Sequence, residues 1–217
     1  MKYMIHAAPP RMWYVEGYLV PSMLAQGIPE KDIEVWNDTD GKGNLQSCLA
    51  SFKKCGRRKG GTWHLQDDVI ICRDFAERTQ GADDGLIAGF CCRNFESMIH
   101  SGSVPANGMW YSFQCIYIPN RLAKGFAQWV EAGAGQINEY QVAIADGKHD
   151  DYLFRGYLRN EKAGEQALNL SPNLVDHIDF LIGGTILNPQ RNIRVNRSFN
   201  FPDKDLVEQL AEKLNTR

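Results

Sequence analysis

Apolar positions alternate along the chain between short runs and helical stripes. Residues 2–7 form a compact apolar run that reads as a first strand, stopped by Pro9 and Pro10. Residues 12–26 then carry apolar side chains at helical spacing, Trp13, Val20 and Leu24 among them, and Pro21 inside that stripe predicts a kink or a break. Residues 33–36 read as a second strand. A strand, helix and strand joined this closely predict a parallel α/β sheet. Further along, the pattern predicts helices over 45–54, 73–78, 121–131, 136–145, 152–158 and 203–214, with Gly133 to Gly135 ending the helix over 121–131. Strands are predicted over 85–92 and 109–118, the latter closed by Pro119, and residues 94–108 read as irregular.

The stretch from Gly60 to Phe75 breaks this rhythm. Trp63 and Leu65 alternate with polar neighbours, and Val69, Ile70 and Ile71 are β-branched, so a short strand is expected. Asp67 and Asp68 stand side by side within it. Charges are not buried unpaired, so the two acids are expected at a strand end, facing a cation or a polar ligand. The competing reading is a solvated turn between two short strands.

Composition narrows the class. The chain has 217 residues, 43% of them apolar and 23% charged, which suits one sizeable core. A formal net charge of -2 argues against broad electrostatic binding of nucleic acid. The N-terminal residues lack the apolar run of a signal peptide, and no stretch approaches eighteen continuous apolar residues, so a membrane span is not expected. Cys48, Cys55, Cys72, Cys91, Cys92 and Cys115 include no CxxC pair. They read as reduced, mostly buried cysteines of a cytoplasmic protein.

Several polar residues stand where an α/β sheet holds its ligands. The loop from Asn37 to Asn44 follows the second strand, at the edge where open sheets bind small molecules. Arg57 and Arg58 lie in a basic turn that reads either as a phosphate contact or as a solvated charge run. Asp68 and the distant His177 suit a manganese or magnesium ion shared with substrate phosphates. A second acid pair, Asp150 and Asp151, lies where a loop meets a helix and reads either as a helix cap or as a general base. Trp110 follows a glycine-bearing loop and is a candidate to stack on a sugar or base. There is no GxxxxGK[ST], no GxGxxG after the first strand and no GxSxG, which counts against a P-loop ATPase, a dinucleotide enzyme and a standard α/β-hydrolase.

With these residues in order, the chain resembles the nucleotide-sugar-dependent glycosyltransferases of the GT-A fold, family 2-like with a variant DXD motif. The resemblance rests on the first strand and helix with the Asn37 to Asn44 loop, on Trp63-His64-Leu65-Gln66-Asp67-Asp68-Val69, on Asp150-Asp151 before Leu153, and on Pro172-Asn173-Leu174-Val175-Asp176-His177-Ile178. Gln66 replaces the first acid of a strict D-x-D. The implied fold is α/β, a Rossmann-like, mixed and mostly parallel sheet with helices on both faces. A single domain spans 1–217: a nucleotide-sugar-binding half to about residue 92, an acceptor-side half over 93–200, and a C-terminal helix over 201–217.

The implied activity moves a sugar from a nucleotide-diphosphate sugar, UDP-sugar first among them, to an acceptor hydroxyl on a glycan, protein, small molecule or modified nucleic acid. Mn2+ or Mg2+ is the implied cofactor, held by Asp68 and His177. Asp67, Asn37, Asn44, Arg57, Arg58 and Trp110 are placed on the donor, and Asp151, with Asp150 as the nearest substitute, is the general base of an inverting transfer. Two other classes compete with this one. A nucleotidyltransferase or pyrophosphorylase would carry a glycine-rich loop after the first strand, and residues 7–11 supply no glycine. A non-catalytic α/β binding or structural protein would leave both acid pairs as surface features.

Overall fold

The structure is a computed structural model, and it describes residues 1–82, 85–89, 102–106, 113–147 and 149–177. Among the described residues, seven strands form one sheet in the order β2-β1-β3-β7-β5-β8-β6. They are β1 (Tyr3–Ala7), β2 (Ile33–Asn37), β3 (Gly61–Gln66), β5 (Leu86–Ala88), β6 (Gly102–Pro105), β7 (Cys115–Pro119) and β8 (Gln166–Asn169). β1 runs parallel to β2 and β3, and β5 parallel to β8, while β7 and β6 run against their neighbours. The sheet is therefore mixed and mostly parallel. Strands from both sides of residue 92 share it.

Helices cover both faces. On one side lie α2 (Asn44–Cys55), α4 (Asn120–Glu131), α5 (Asn138–Asp146) and α6 (Asp150–Glu161). Leu45, Cys48, Leu49, Phe52 and Cys55 repeat at three- and four-residue spacing, so α2 turns a single apolar stripe inward. Phe52 sits at the centre of that layer, its ring 5.7 Å from Phe113, 5.8 Å from Phe126 and 6.4 Å from Phe154. Burying such a side chain contributes about 1.5–3 kcal/mol, enough to fix how α2 lies on the sheet. α4 ends where Gly133 takes a φ of 83°, a left-handed conformation that glycine adopts without strain.

The other face is covered by residues 12–25 (α1) and by α3 (Phe75–Arg78). α1 begins and ends as α-helix, over Met12–Tyr14 and Val20–Ala25, with a π-helical turn over Val15–Leu19 between. Pro21 explains the widening. It has no N–H to give and its ring crowds the preceding turn, and a π-turn opens the spiral there without ending it. Tyr14, Val15, Leu19 and Met23 all reach the core on this side.

The expected single strand through Asp67 and Asp68 is in fact two. β3 ends at Gln66, the acids turn the chain, and β4 (Val69–Ile71) pairs antiparallel with β9 (Val175–His177) in a second, two-stranded sheet. Adjacent carboxylates cannot continue a strand that is buried on both faces, so the chain bends where they fall. β6 lies within the segment expected to be irregular, and β8 forms where no strand was expected; both are four-residue strands. The helix expected from residue 152 starts at Asp150, which puts both acids of the second pair in its first turn. Cys48, Cys55, Cys72 and Cys115 are free and buried. Cys91, Cys92, Trp110 and the helix expected over 203–214 lie outside the described residues.

Candidate functional site

The C-terminal ends of β1, β2 and β3 point to one edge of the sheet, and the chain there is held by polar contacts. β1 and β3 run side by side, with His6 opposite Gln66. Just beyond, the Ala8 N–H donates to Asp67 Oδ2 at 2.7 Å. Arg11 follows a turn built on Pro9 and Pro10, and its Nη1 donates to Asp67 Oδ1 at 3.0 Å and to Asp68 Oδ2 at 2.5 Å. All three side chains are buried, Arg11 at 7%, Asp67 at 6% and Asp68 at 7% exposure. Tyr14, one helical turn after Arg11, donates its hydroxyl to the Val69 carbonyl at 2.7 Å. The start of α1 therefore grips the Asp67–Asp68 turn on both sides.

Among the described residues, one guanidinium is shared by these two carboxylates. Burial, and then the neighbouring Asp68, push Asp67 up to about 6, although Arg11 and the Ala8 amide pull the other way. Burial opposes the Arg11 charge, but the two acids outweigh it and hold the guanidinium above its ordinary value. The carboxylate oxygens suit a hard divalent ion, which takes oxygen donors and needs few protein ligands. Pairing of β4 with β9 sets His177 opposite Val69, so the backbone of the expected second ligand stands one residue from Asp68. The His177 side chain lies outside the described residues. Among the described residues, no group of three or more His, Cys, Asp or Glu side chains is placed to hold a metal ion.

The second acid pair stands at the N-terminus of α6. Asp150 is 4% exposed and accepts a hydrogen bond from Asn44 Nδ2 at 2.8 Å, which ties it to the first residue of α2. Burial, and then Asp151, push its carboxyl up to about 7. Asp151 is more accessible. Its Oδ1 accepts from the Tyr152 N–H at 2.7 Å, and burial raises its carboxyl too, against that amide and His149.

The other expected contacts divide. Asn37 ends β2, and its Oδ1 is buried with no hydrogen-bond partner among the described residues, so a carbonyl oxygen awaits a donor at the ligand edge. Asn44 is committed to Asp150. Arg57 and Arg58 need correcting. They lie in the turn before β3, whose six residues span about 20 Å, so they sit at the opposite edge from the acids. Arg58 Nη2 donates to Glu34 at 2.6 Å, and Lys54 pairs with the same carboxylate. Trp110 is outside the described residues. Sequence reasoning missed Arg11 altogether. The signal was an arginine opening an apolar helix just after a strand, where a buried guanidinium needs acids to face it. It also missed the half-buried His6 and the buried His64, the latter against Phe52 of α2; their imidazoles are lowered to about 4 and about 3, chiefly by desolvation.

This is a mixed α/β protein with an acid pair at the ligand edge of its sheet, and two solved structures are similar to it at long range. One is galactosyltransferase LgtC in complex with donor and acceptor sugar analogs, 13% identical, covering 72% of this chain and 70% of that one, with a TM-score of 0.42. The other is an active-site mutant of LgtC, 13% identical, covering 69% of this chain and 71% of that one, with a TM-score of 0.39. No family model and no curated protein matches the chain. Likeness at this distance carries no residue-level inference. Among the described residues, no helix is long and apolar enough to cross a membrane.

Proposed function

We propose that the chain is a metal-assisted glycosyltransferase that moves a sugar from a nucleotide-diphosphate sugar, a UDP-sugar first among them, to an acceptor hydroxyl. The observation that carries this reading is the Asp67–Asp68 turn. Two buried carboxylates that share one arginine stand at the ligand edge of a mostly parallel sheet, with the backbone of His177 one residue away in register. Asp68 and His177 would hold the ion, and Asn37 offers an acceptor oxygen to the nucleotide. When bound, a divalent ion there offsets the charge of the departing nucleoside diphosphate.

The chain's own acids supply the proton chemistry. Asp151 takes the proton of the acceptor hydroxyl as the acceptor oxygen bonds to the anomeric carbon and the carbon–phosphate-oxygen bond breaks, so the configuration inverts. Asp150 is the poorer base, because it is buried, held by Asn44 and protonated up to about pH 7. Its place is beneath Asp151, fixing the start of α6.

A thermal-shift screen of UDP-, GDP- and dTDP-sugars, each with and without Mn2+, tests the class. A rise in melting temperature for one donor that requires Mn2+ is expected. No response to any donor from folded protein removes the reading. With the donor known, Asp151→Asn should lower the transfer rate at least a hundredfold at unchanged donor affinity. A variant that keeps its rate takes the base role away from Asp151.

A further inference from the structure

Arg11 stands at the acid turn, where no sequence argument brought it, and its position conflicts with a bound metal. Its Nη1 lies within hydrogen-bond distance of both Asp67 Oδ1 and Asp68 Oδ2, at 3.0 and 2.5 Å, with all three residues buried. The guanidinium is carried on a short, defined support, since Pro9 and Pro10 fix the turn before it and Tyr14 anchors the helix after it to Val69. The cation at this turn is therefore a side chain of the protein.

The geometry points to Arg11 as a resident counter-cation that competes with the divalent metal for Asp68. This rests on the metal-assisted reading of the site given above. In the resting chain the guanidinium offsets charge on the pair and keeps the turn closed. A divalent ion on Asp68 stands beside that guanidinium in a setting poor in water, where like charges repel strongly. Ion binding thus requires Arg11 to withdraw from Asp68. The diphosphate that arrives with the ion is the natural anion for the released guanidinium, whose planar fork matches phosphate oxygens. The chain would bind free metal weakly and metal together with donor tightly. Arg11 sets that coupling and takes no part in bond making, so it is a positioning residue.

The test is Mn2+ binding in the absence of any donor, followed by electron paramagnetic resonance on the full chain and on Arg11→Gln. The expected result is at least tenfold tighter Mn2+ binding by Arg11→Gln, with a larger rise of its melting temperature on adding the ion. Equal or weaker binding by the variant overturns the proposal, as does the absence of Mn2+ binding in both proteins. Should Arg11→Gln not fold, Mg2+ is titrated into the wild-type chain and the Arg11 side-chain Nε–H signal followed by NMR. A shift that saturates with Mg2+ supports the exchange, and an unmoved signal at 20 mM Mg2+ overturns it. The donor screen is independent of this. Tighter metal binding by Arg11→Gln with no nucleotide-sugar response sinks the glycosyltransferase reading and leaves the exchange standing. Donor-dependent stabilisation with a metal affinity indifferent to Arg11 does the reverse.

Discussion

Two pairs of adjacent aspartates stand among the described residues, and they solve the same problem in different ways. Asp67 and Asp68 are buried in a turn and rely on a cation from another element, Arg11. Asp150 and Asp151 open a helix and rely on backbone amides, on an Asn44 side chain and, for Asp150, on keeping the proton. The first pair is held by charge, the second by hydrogen bonds and protonation. Identical dipeptides therefore respond differently to pH, to salt and to the loss of one neighbour. A carboxylate stabilised by a distant cation is sensitive to whatever else can supply charge, whereas one at a helix start is fixed by its own backbone.

Removing the cation should produce the largest effect. Arg11→Leu takes the guanidinium away from two buried carboxylates and is expected to cost about 3–5 kcal/mol at pH 7.5. The loss should shrink below about pH 5, where both acids can take up protons in the folded chain. Urea unfolding at the two pH values checks this, and an equal loss at both would mean that Arg11 contributes packing and not charge.

Asp150→Asn comes next and reads the other pair. The Asp150 carboxyl is at about 7 in the folded chain against about 3.8 for an ordinary aspartate, so between those values the unfolded chain releases a proton that the folded chain keeps. Its contribution to stability is thus present below about pH 4 and is lost as pH rises to about 7. Asparagine keeps an oxygen for Asn44 and cannot titrate. Relative to wild type, the variant should gain on the order of 2–4 kcal/mol between pH 4 and pH 7.5. His6 and His64, lowered in the folded chain, work in the opposite sense in both proteins, losing stability as pH falls below about 6.5, and so cancel in the difference. A pH-independent difference would show that Asp150 is ionised when folded.

Arg58→Ala should have the smallest effect and mark the contrast with Arg11. Its pair with Glu34 is partly exposed, at 34% and 24%, and is expected to contribute about 1 kcal/mol or less. Donor-dependent melting shifts should be unchanged, because Arg58 stands at the far edge of the sheet. A lost donor response would bring the basic turn back into the site.

The sequence revealed features whose cause is local. The stripe of α4, the kink at Pro21 and the turn-forming acids are all legible from neighbours within a few positions. Asp67 and Asp68 stood out because two charges within an apolar run demand a partner. The partner itself was not legible, since Arg11 meets them only after β1 and β3 pair across some fifty residues of chain. β6 and β8 were missed for a related reason. Four-residue strands carry too little pattern to be read alone, and long-range pairing defines them. Arg57 and Arg58 misled because charge runs look alike at either end of a strand, and only topology says which end faces ligand.

The handover from β3 to β4 also has a consequence in time. β4 leaves one sheet to find β9, roughly a hundred residues later. Closing so long a loop costs chain entropy before any contact repays it, so such pairings form late. During synthesis, β1, β2 and α2 can assemble while the acid turn still lacks the strand that seats it. The turn takes its final shape only when nearly all the described chain has emerged, so a partly folded chain presents no finished cation site. Metal binding at this turn would then serve as a readout of completed folding.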